Sequence, residues 1–182
     1  LFRSLNCPES DNPANPQPAE TVLDINTSPP SKEEVKLAIK ALKNGKAAGI
    51  DSVHAEMLKA DLNTSVKVLT DLFKDIWERE VIPQDWDKGL IVKLPKKGNL
   101  QNCDNWRGIT LLSVPSKVFC RILLDRIDAA IDQMLRQEQA GFRRGRGCID
   151  QIFALRNIIE QCLEWNTPLH INFIDFRKAF DS

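Results

Sequence analysis

The 182-residue chain contains no tyrosine, only two histidines and no Asp-Asp dipeptide. It also lacks a charge excess of either sign: 25 Lys and Arg balance 25 Asp and Glu, for a formal net charge of +0. As a whole-chain average, that balance announces neither a nucleic acid nor a membrane surface. No apolar run approaches the ~20 residues of a membrane-spanning helix. No basic-then-apolar leader opens the chain either, since Leu1 to Asn6 run straight into prolines and acids. The five cysteines, Cys7, Cys103, Cys120, Cys148 and Cys162, are odd in number, scattered, and include no Cys-x-x-Cys pair. With His54 and His170 they offer no zinc-ligand spacing and no disulfide framework, which points to reduced thiols in an intracellular protein, nuclear and/or cytoplasmic. Neither histidine sits in a hydrolase motif. What is present, 42% hydrophobic and 27% charged residues, suits one packed domain or a piece of a larger one.

The even charge hides a gradient. Up to Glu34 the chain carries two cations, Arg3 and Lys32, against six acids, a net −4 that leaves +4 for the remainder. The same stretch holds six of the 10 prolines, so residues 1–30 read as an acidic, proline-rich linker with little to bury. At Ser31 the pattern changes. Ser31 and Glu34 make a capping box, and Val35, Ala38, Ile39 and Leu42 share one helical face until Asn44-Gly45. A basic loop, Gly45 to Gly49, precedes a helix over Ser52 to Lys59. A longer helix follows with Val66, Leu69, Phe73, Ile76 and Trp77, ended by Pro83.

Leu90 to Leu94 and Trp106 to Leu112, the latter bounded by Pro115, predict a β-hairpin carrying Lys96, Lys97 and Arg107 near one end. Apolar periodicity predicts a long helix from Phe119 to Met134 and another through Ile152, Leu155, Ile159 and Leu163, closed by Asn166-Thr-Pro168. Between them lies a second glycine-rich basic loop, Gln139 to Gly147. The last element is an apolar strand, Leu169 to Asp175.

Three constellations could carry chemistry. Asp175 closes a strand, where a carboxylate can be presented to a metal ion or can equally cap a following helix. Lys96, Lys97 and Arg107 could close over a polyphosphate or simply solvate the hairpin and discourage edge pairing. The two basic loops combine close-approach glycines with Lys46, or with Arg143, Arg144, Arg146 and the stacking face of Phe142. Neither is a Walker A loop.

In order, these features run as a basic loop, a lysine hairpin with Asn105-Trp-Arg107, a long helix, Gln139-x-Gly-Phe142 and a further helix. They finish with Phe173-Ile-Asp175-x-x-x-Ala-Phe-Asp181. That order resembles the reverse transcriptase of non-LTR (LINE-type) retrotransposons, from about Leu23 to Ser182. The resemblance implies an α+β fold: helix-rich fingers with a β-hairpin, then the first strand of a right-hand polymerase palm, over residues 31–182. It implies an RNA-directed DNA polymerase that adds dNTPs to a DNA primer on template RNA by a two-Mg²⁺ mechanism, with no membrane partner. An upstream endonuclease domain would fit the full-length protein. Asp175 matches the first catalytic, metal-binding aspartate and Phe180 the aromatic gate beside the sugar of the incoming nucleotide. Lys96 and Arg107 match the cations that grip its triphosphate. Gln139, Gly141 and Phe142 match the segment holding template and primer, with Arg143, Arg144 and Arg146 on the backbone. Gly45-Lys46 through Asp51 resembles the family's extra N-terminal motif, thought to touch the template.

Two departures stand out. The family commonly has Arg-Pro-Ile where this chain has Arg107-Gly108-Ile109, and glycine loosens the strand that aims Arg107. The family's aromatic-x-Asp-Asp turn is absent, so the 182 residues are expected to be inactive alone, as a truncated polymerase with an exposed strand edge at Leu169 to Ile174. The alternative reading is a non-catalytic remnant of a retroelement that binds RNA or an RNA–DNA hybrid.

Overall fold

A computed structural model of the chain describes residues 23–174. The linker is thus described only from Leu23 onward, and Asp175, Phe180 and Asp181 lie outside the described residues. The chain divides into two units, the first running from Leu23 to Ala130 and the second from Ile131 onward.

The first unit opens with helix α1 (Lys32–Ala41). Its N-cap is Ser31, whose hydroxyl accepts from the Glu34 N–H while the Glu34 carboxylate accepts from the Ser31 N–H, the reciprocal box expected from the two residue types. Helix α2 (Ala55–Ala60) starts three residues later than the sequence suggests. Ser52 has a left-handed φ of 56°, outside the helical region, so the helix cannot form before it. Helix α3 (Leu62–Arg79) is capped by the Asp61 carboxylate, which accepts from the Thr64 N–H. It stops at Glu80, again left-handed with φ 55°, so the terminator is this residue and not Pro83.

Strands β1 (Leu90–Pro95) and β2 (Trp106–Leu111) pair antiparallel, with Leu90 opposite Leu111 and Pro95 opposite Trp106. Helix α4 (Val114–Met134) takes Pro115 into its first turn, where a missing N–H costs nothing. Proline here helps a helix begin, which is why it starts five residues before Phe119.

The core of this unit gathers Val35, Ala38 and Ile39 of α1, Val66, Leu69, Phe73 and Ile76 of α3, and Val118, Phe119 and Ile122 of α4. Phe73, Trp77, Trp86 and Phe119 form its aromatic centre, with ring centroids 5.1–6.3 Å apart in tilted and edge-on arrangements. Beside it, the Arg126 side chain is 6% exposed. It forks onto the Glu34 carboxylate at 2.7 and 2.9 Å, donates to the carbonyls of Asn26, Ser28 and Pro29, and lies 5.3 Å from the Trp77 ring centroid. The Trp77 indole N–H donates to the Thr27 carbonyl at 3.0 Å, so two side chains fasten the segment that leads into α1. The guanidinium hydrogen bonds hold the Glu34 carboxyl down at about 2.

The second unit contains the last turn of α4, the basic loop and helix α5 (Cys148–Glu164), which ends before a left-handed Asn166. No α5 residue is buried, and Ile149, Ile152, Phe153 and Leu163 remain exposed. The α+β class stands as expected, with helices and one two-stranded antiparallel sheet. The palm strand does not: Leu169 to Ile174 forms no ladder, because no partner strand lies beside it among the described residues.

Candidate functional site

The hairpin places its cations through the two-residue alternation of a strand. Arg107 lies opposite Leu94, and Lys96 follows Leu94 by two residues while its N–H still donates to the Asn105 carbonyl at 2.7 Å. Lys96 and Arg107 therefore share one face, as diagonal neighbours, together with Val92 and Ile109. Lys93 and Trp106 lie on the opposite face, the ammonium 5.3 Å from the indole centroid. Gly108 pairs with Lys93 without interrupting the ladder, so the strand is not loosened there; a Cβ at Gly108 would meet Ile91 at 3.3 Å. Lys96 Nζ is steadied by the Asp104 carbonyl at 3.0 Å. Arg107 is exposed and makes no hydrogen bond or ion pair among the described residues, leaving a full guanidinium fork for an anion. Lys97 follows in the exposed turn.

That turn is built by asparagines. The Asn105 side chain donates to the Asn99 carbonyl at 2.7 Å and the Trp106 indole to the Leu100 carbonyl at 3.0 Å, while Gly98 takes a φ of +119°. Asparagine suits a turn by residue type, but these particular bonds are set by the fold.

The Gly45–Gly49 loop is anchored at both ends. The Gly45 N–H donates to the Glu56 carboxylate at 2.6 Å, which holds that carboxyl below its usual range. Lys59 Nζ closes the end of α1, donating to the Leu42 carbonyl and to Asn44 Oδ1 at 2.6 and 2.7 Å. At the far end Gly49 is buried against the end of the hairpin: a Cβ there would lie 2.6 Å from the Leu112 carbonyl carbon and the Ser113 nitrogen. Ser113 Oγ donates to the Asp51 carboxylate at 2.7 Å, completing the junction. Lys46 projects from this fixed frame, exposed and unpaired among the described residues.

In the second unit, Arg143 is the buried one of the loop's three arginines. Its guanidinium turns inward, donating to the Asp132 carboxylate at 2.7 Å and to the carbonyls of Asp132, Arg136 and Gln139. Of these only Asp132 belongs to α4, so Arg143 ties the loop carbonyls of Arg136 and Gln139 to the last turn of that helix. Its ion pair lowers the Asp132 carboxyl and raises the guanidinium. Arg144 is exposed, and Arg146 is exposed with one bond to Gln137 Oε1 at 3.2 Å. Phe142 is fully exposed at a left-handed φ of 59°, an uncommon state for a bulky residue. Gln139 is exposed, and Gly141 has open space where a Cβ would stand. An open cleft of about 470 Å³ lies beside Arg146, lined also by Glu138, Asp150 and Gln151.

The structure thus brings Lys96 and Arg107 together on the hairpin and gathers Gln139, Gly141, Phe142, Arg144 and Arg146 around the second loop. Among the described residues no group of three or more His, Cys, Asp or Glu side chains comes together to hold a metal ion. No described helix is long and apolar enough to cross a membrane.

Residues 94–182 match the family described as "Reverse transcriptase (RNA-dependent DNA polymerase)". The chain is 29% identical over 87% of its length to a "Probable RNA-directed DNA polymerase from transposon BS" of Drosophila melanogaster, covering 18% of that protein. It is 25% identical over 85% of its length to a "Transposon TX1 uncharacterized 149 kDa protein" of Xenopus laevis, covering 12% of it. It is 29% identical, again over 85%, to a "Retrovirus-related Pol polyprotein from type-1 retrotransposable element R2" of Popillia japonica, covering 20%. The chain therefore spans a fifth or less of the curated relatives it matches.

Proposed function

We propose, from the match of residues 94–182 to the reverse transcriptase family and the likeness to retrotransposon polymerases, that the chain supplies the fingers and the start of the palm of a non-LTR retrotransposon polymerase, over residues 31–182. The parent reaction would be dNTP addition to a DNA primer on template RNA, in an intracellular setting, nuclear and/or cytoplasmic. The observation that carries the reading is the hairpin face. Two cations of different kinds stand as diagonal neighbours on a rigid two-stranded ribbon, and one of them is an unpaired arginine. Such a face suits a triphosphate: the guanidinium fork takes two oxygens and the ammonium follows as a point charge. Gln139, Gly141, Phe142, Arg144 and Arg146 would meet template and primer, as would Lys46.

Enzymes of this family work with a divalent metal, here proposed to be Mg²⁺. Asp175 is the carboxylate assigned to it by resemblance, and one carboxylate does not fill the coordination of two such ions. Among the described residues no carboxylate cluster makes a two-metal site, and polymerisation is not assigned to these 182 residues by themselves.

The test is equilibrium binding of a dNTP to the chain. Arg107→Ala should weaken binding at least roughly tenfold and Lys96→Ala less, since a bidentate charged contact is the stronger. Unchanged binding in both variants would remove the triphosphate assignment. In a complete polymerase carrying these residues, Asp175→Asn should abolish synthesis with folding intact, and Phe180→Val should raise rNTP use.

A further inference from the structure

Strand β1 is exposed at all six positions and β2 at four of its six, so little packing steadies the hairpin along its length. Its root is different. Ser113, the joint between β2 and α4, is buried, and each of its polar groups is engaged. The Ser113 carbonyl accepts from the Lys117 N–H at 3.2 Å and from Ser116 Oγ at 2.8 Å, which makes it part of the first turn of α4. That helix is seated in the core by Val118 and Phe119. The Ser113 nitrogen lies against Gly49, where a Cβ would stand 2.6 Å away. The Ser113 hydroxyl donates to Asp51 Oδ2 at 2.7 Å, while Asp51 Oδ1 accepts from the Val53 N–H at 3.2 Å. One carboxylate thus holds its own turn with one oxygen and the hairpin's joint with the other.

The joint has leverage. Arg107 stands six residues before Ser113, roughly 20 Å along extended chain at about 3.3 Å per residue. A tilt of about 10° at the root would carry the Arg107 backbone roughly 3 Å sideways. A displacement of about 1 Å at a binding group can already cost about a hundredfold in a reaction that depends on alignment. We propose that Asp51 and Ser113 are positioning residues for the triphosphate cations. They lock the tilt of the hairpin on α4, and Asp51 acts on the nucleotide through Arg107 without touching it. The role needs the hydrogen-bonding atoms of Asp51 and not its charge. This inference rests on the triphosphate reading above and deepens it by naming what holds that site in place.

The test is equilibrium dNTP binding to the full 182-residue chain, at a temperature where circular dichroism shows every variant folded. Asp51→Ala and Ser113→Ala should each weaken binding about three- to tenfold. The double variant should lose no more than the worse single one, because both remove the same contact. Ser113→Ala deletes only a hydroxyl, so it carries the test if Asp51→Ala fails to fold. Asp51→Asn should rescue binding to within about twofold, since its Oδ1 still accepts from Val53 and its Nδ2 can donate to Ser113 Oγ. In an Arg107→Ala background, Asp51→Ala should cost less than about twofold further. A full loss in Asp51→Asn, or an undiminished loss in the Arg107→Ala background, would overturn the positioning role. Parent affinity in both alanine variants, beside a loss in Arg107→Ala, would overturn it and leave the triphosphate reading standing. No dNTP binding by the parent chain would overturn both.

Discussion

All five N–H donors of Arg126 are used within the first unit, two on the Glu34 carboxylate and three on backbone carbonyls. Lysine cannot reproduce that fork, so Arg126→Lys should behave nearly as badly as Arg126→Ala, each costing roughly 3 kcal/mol in urea unfolding. The pH dependence has a definite sign. The Glu34 carboxyl sits at about 2 in the folded chain, below its ordinary 4.5. Its contribution is therefore complete above about pH 4.5 and lost as pH falls toward 2. Allowing for its partial exposure, it is worth about 2 kcal/mol. Glu34→Gln should flatten the thermal midpoint across that window, and a parent and variant that decline in parallel would exclude the assignment. The capping role of Glu34 was readable because its partner is three residues away, whereas Arg126 is 92 residues away and no local pattern joins the two. The inward turn of Arg143 was unreadable for the same reason: a loop arginine beside glycines looks free for a phosphate until Asp132 and the carbonyls of Arg136 and Gln139 are seen around it.

At the scale of elements, the five helices and the hairpin were legible from apolar period and turn residues, and the boundaries were not. Ser52 and Glu80 take left-handed φ, which neither residue type announces, and Pro115 starts a helix where proline was taken as a stop. Gly49 shows what two elements require of each other. Its missing side chain lets the basic loop lie on the Leu112–Ser113 backbone, where a Cβ would be 2.6 Å from main-chain atoms that cannot rotate away. Gly49→Ala should therefore destabilise by about 2 kcal/mol through overpacking and free the Asp51–Ser113 contact. Gly141→Ala, with open space around it and no left-handed φ, should leave the urea midpoint unchanged. Equal losses in the two variants would show that glycine content, not this junction, sets the stability.

For the whole molecule, the even charge balance conceals cations gathered on the hairpin, on the second loop and along α1. The purified 182 residues should bind RNA in a salt-dependent way yet incorporate no nucleotide on poly(rA)-oligo(dT). Incorporation above a no-enzyme control would mean that the carboxylates present suffice. The apolar strand before Asp175 was legible as a run of residues, but a ladder needs neighbours, and the described residues offer none. The fastening of Thr27 and Ser28 by Trp77 and Arg126 bears on time as well as on place. It closes contacts 50 and 98 residues apart in sequence, whose loop-closure entropy disfavours their forming early. We expect it to stabilise the native state more than the folding barrier. A Trp77→Phe/Arg126→Ala chain should accordingly refold at close to the parent rate in stopped-flow measurements and unfold markedly faster, losing its lifetime and keeping its speed of assembly.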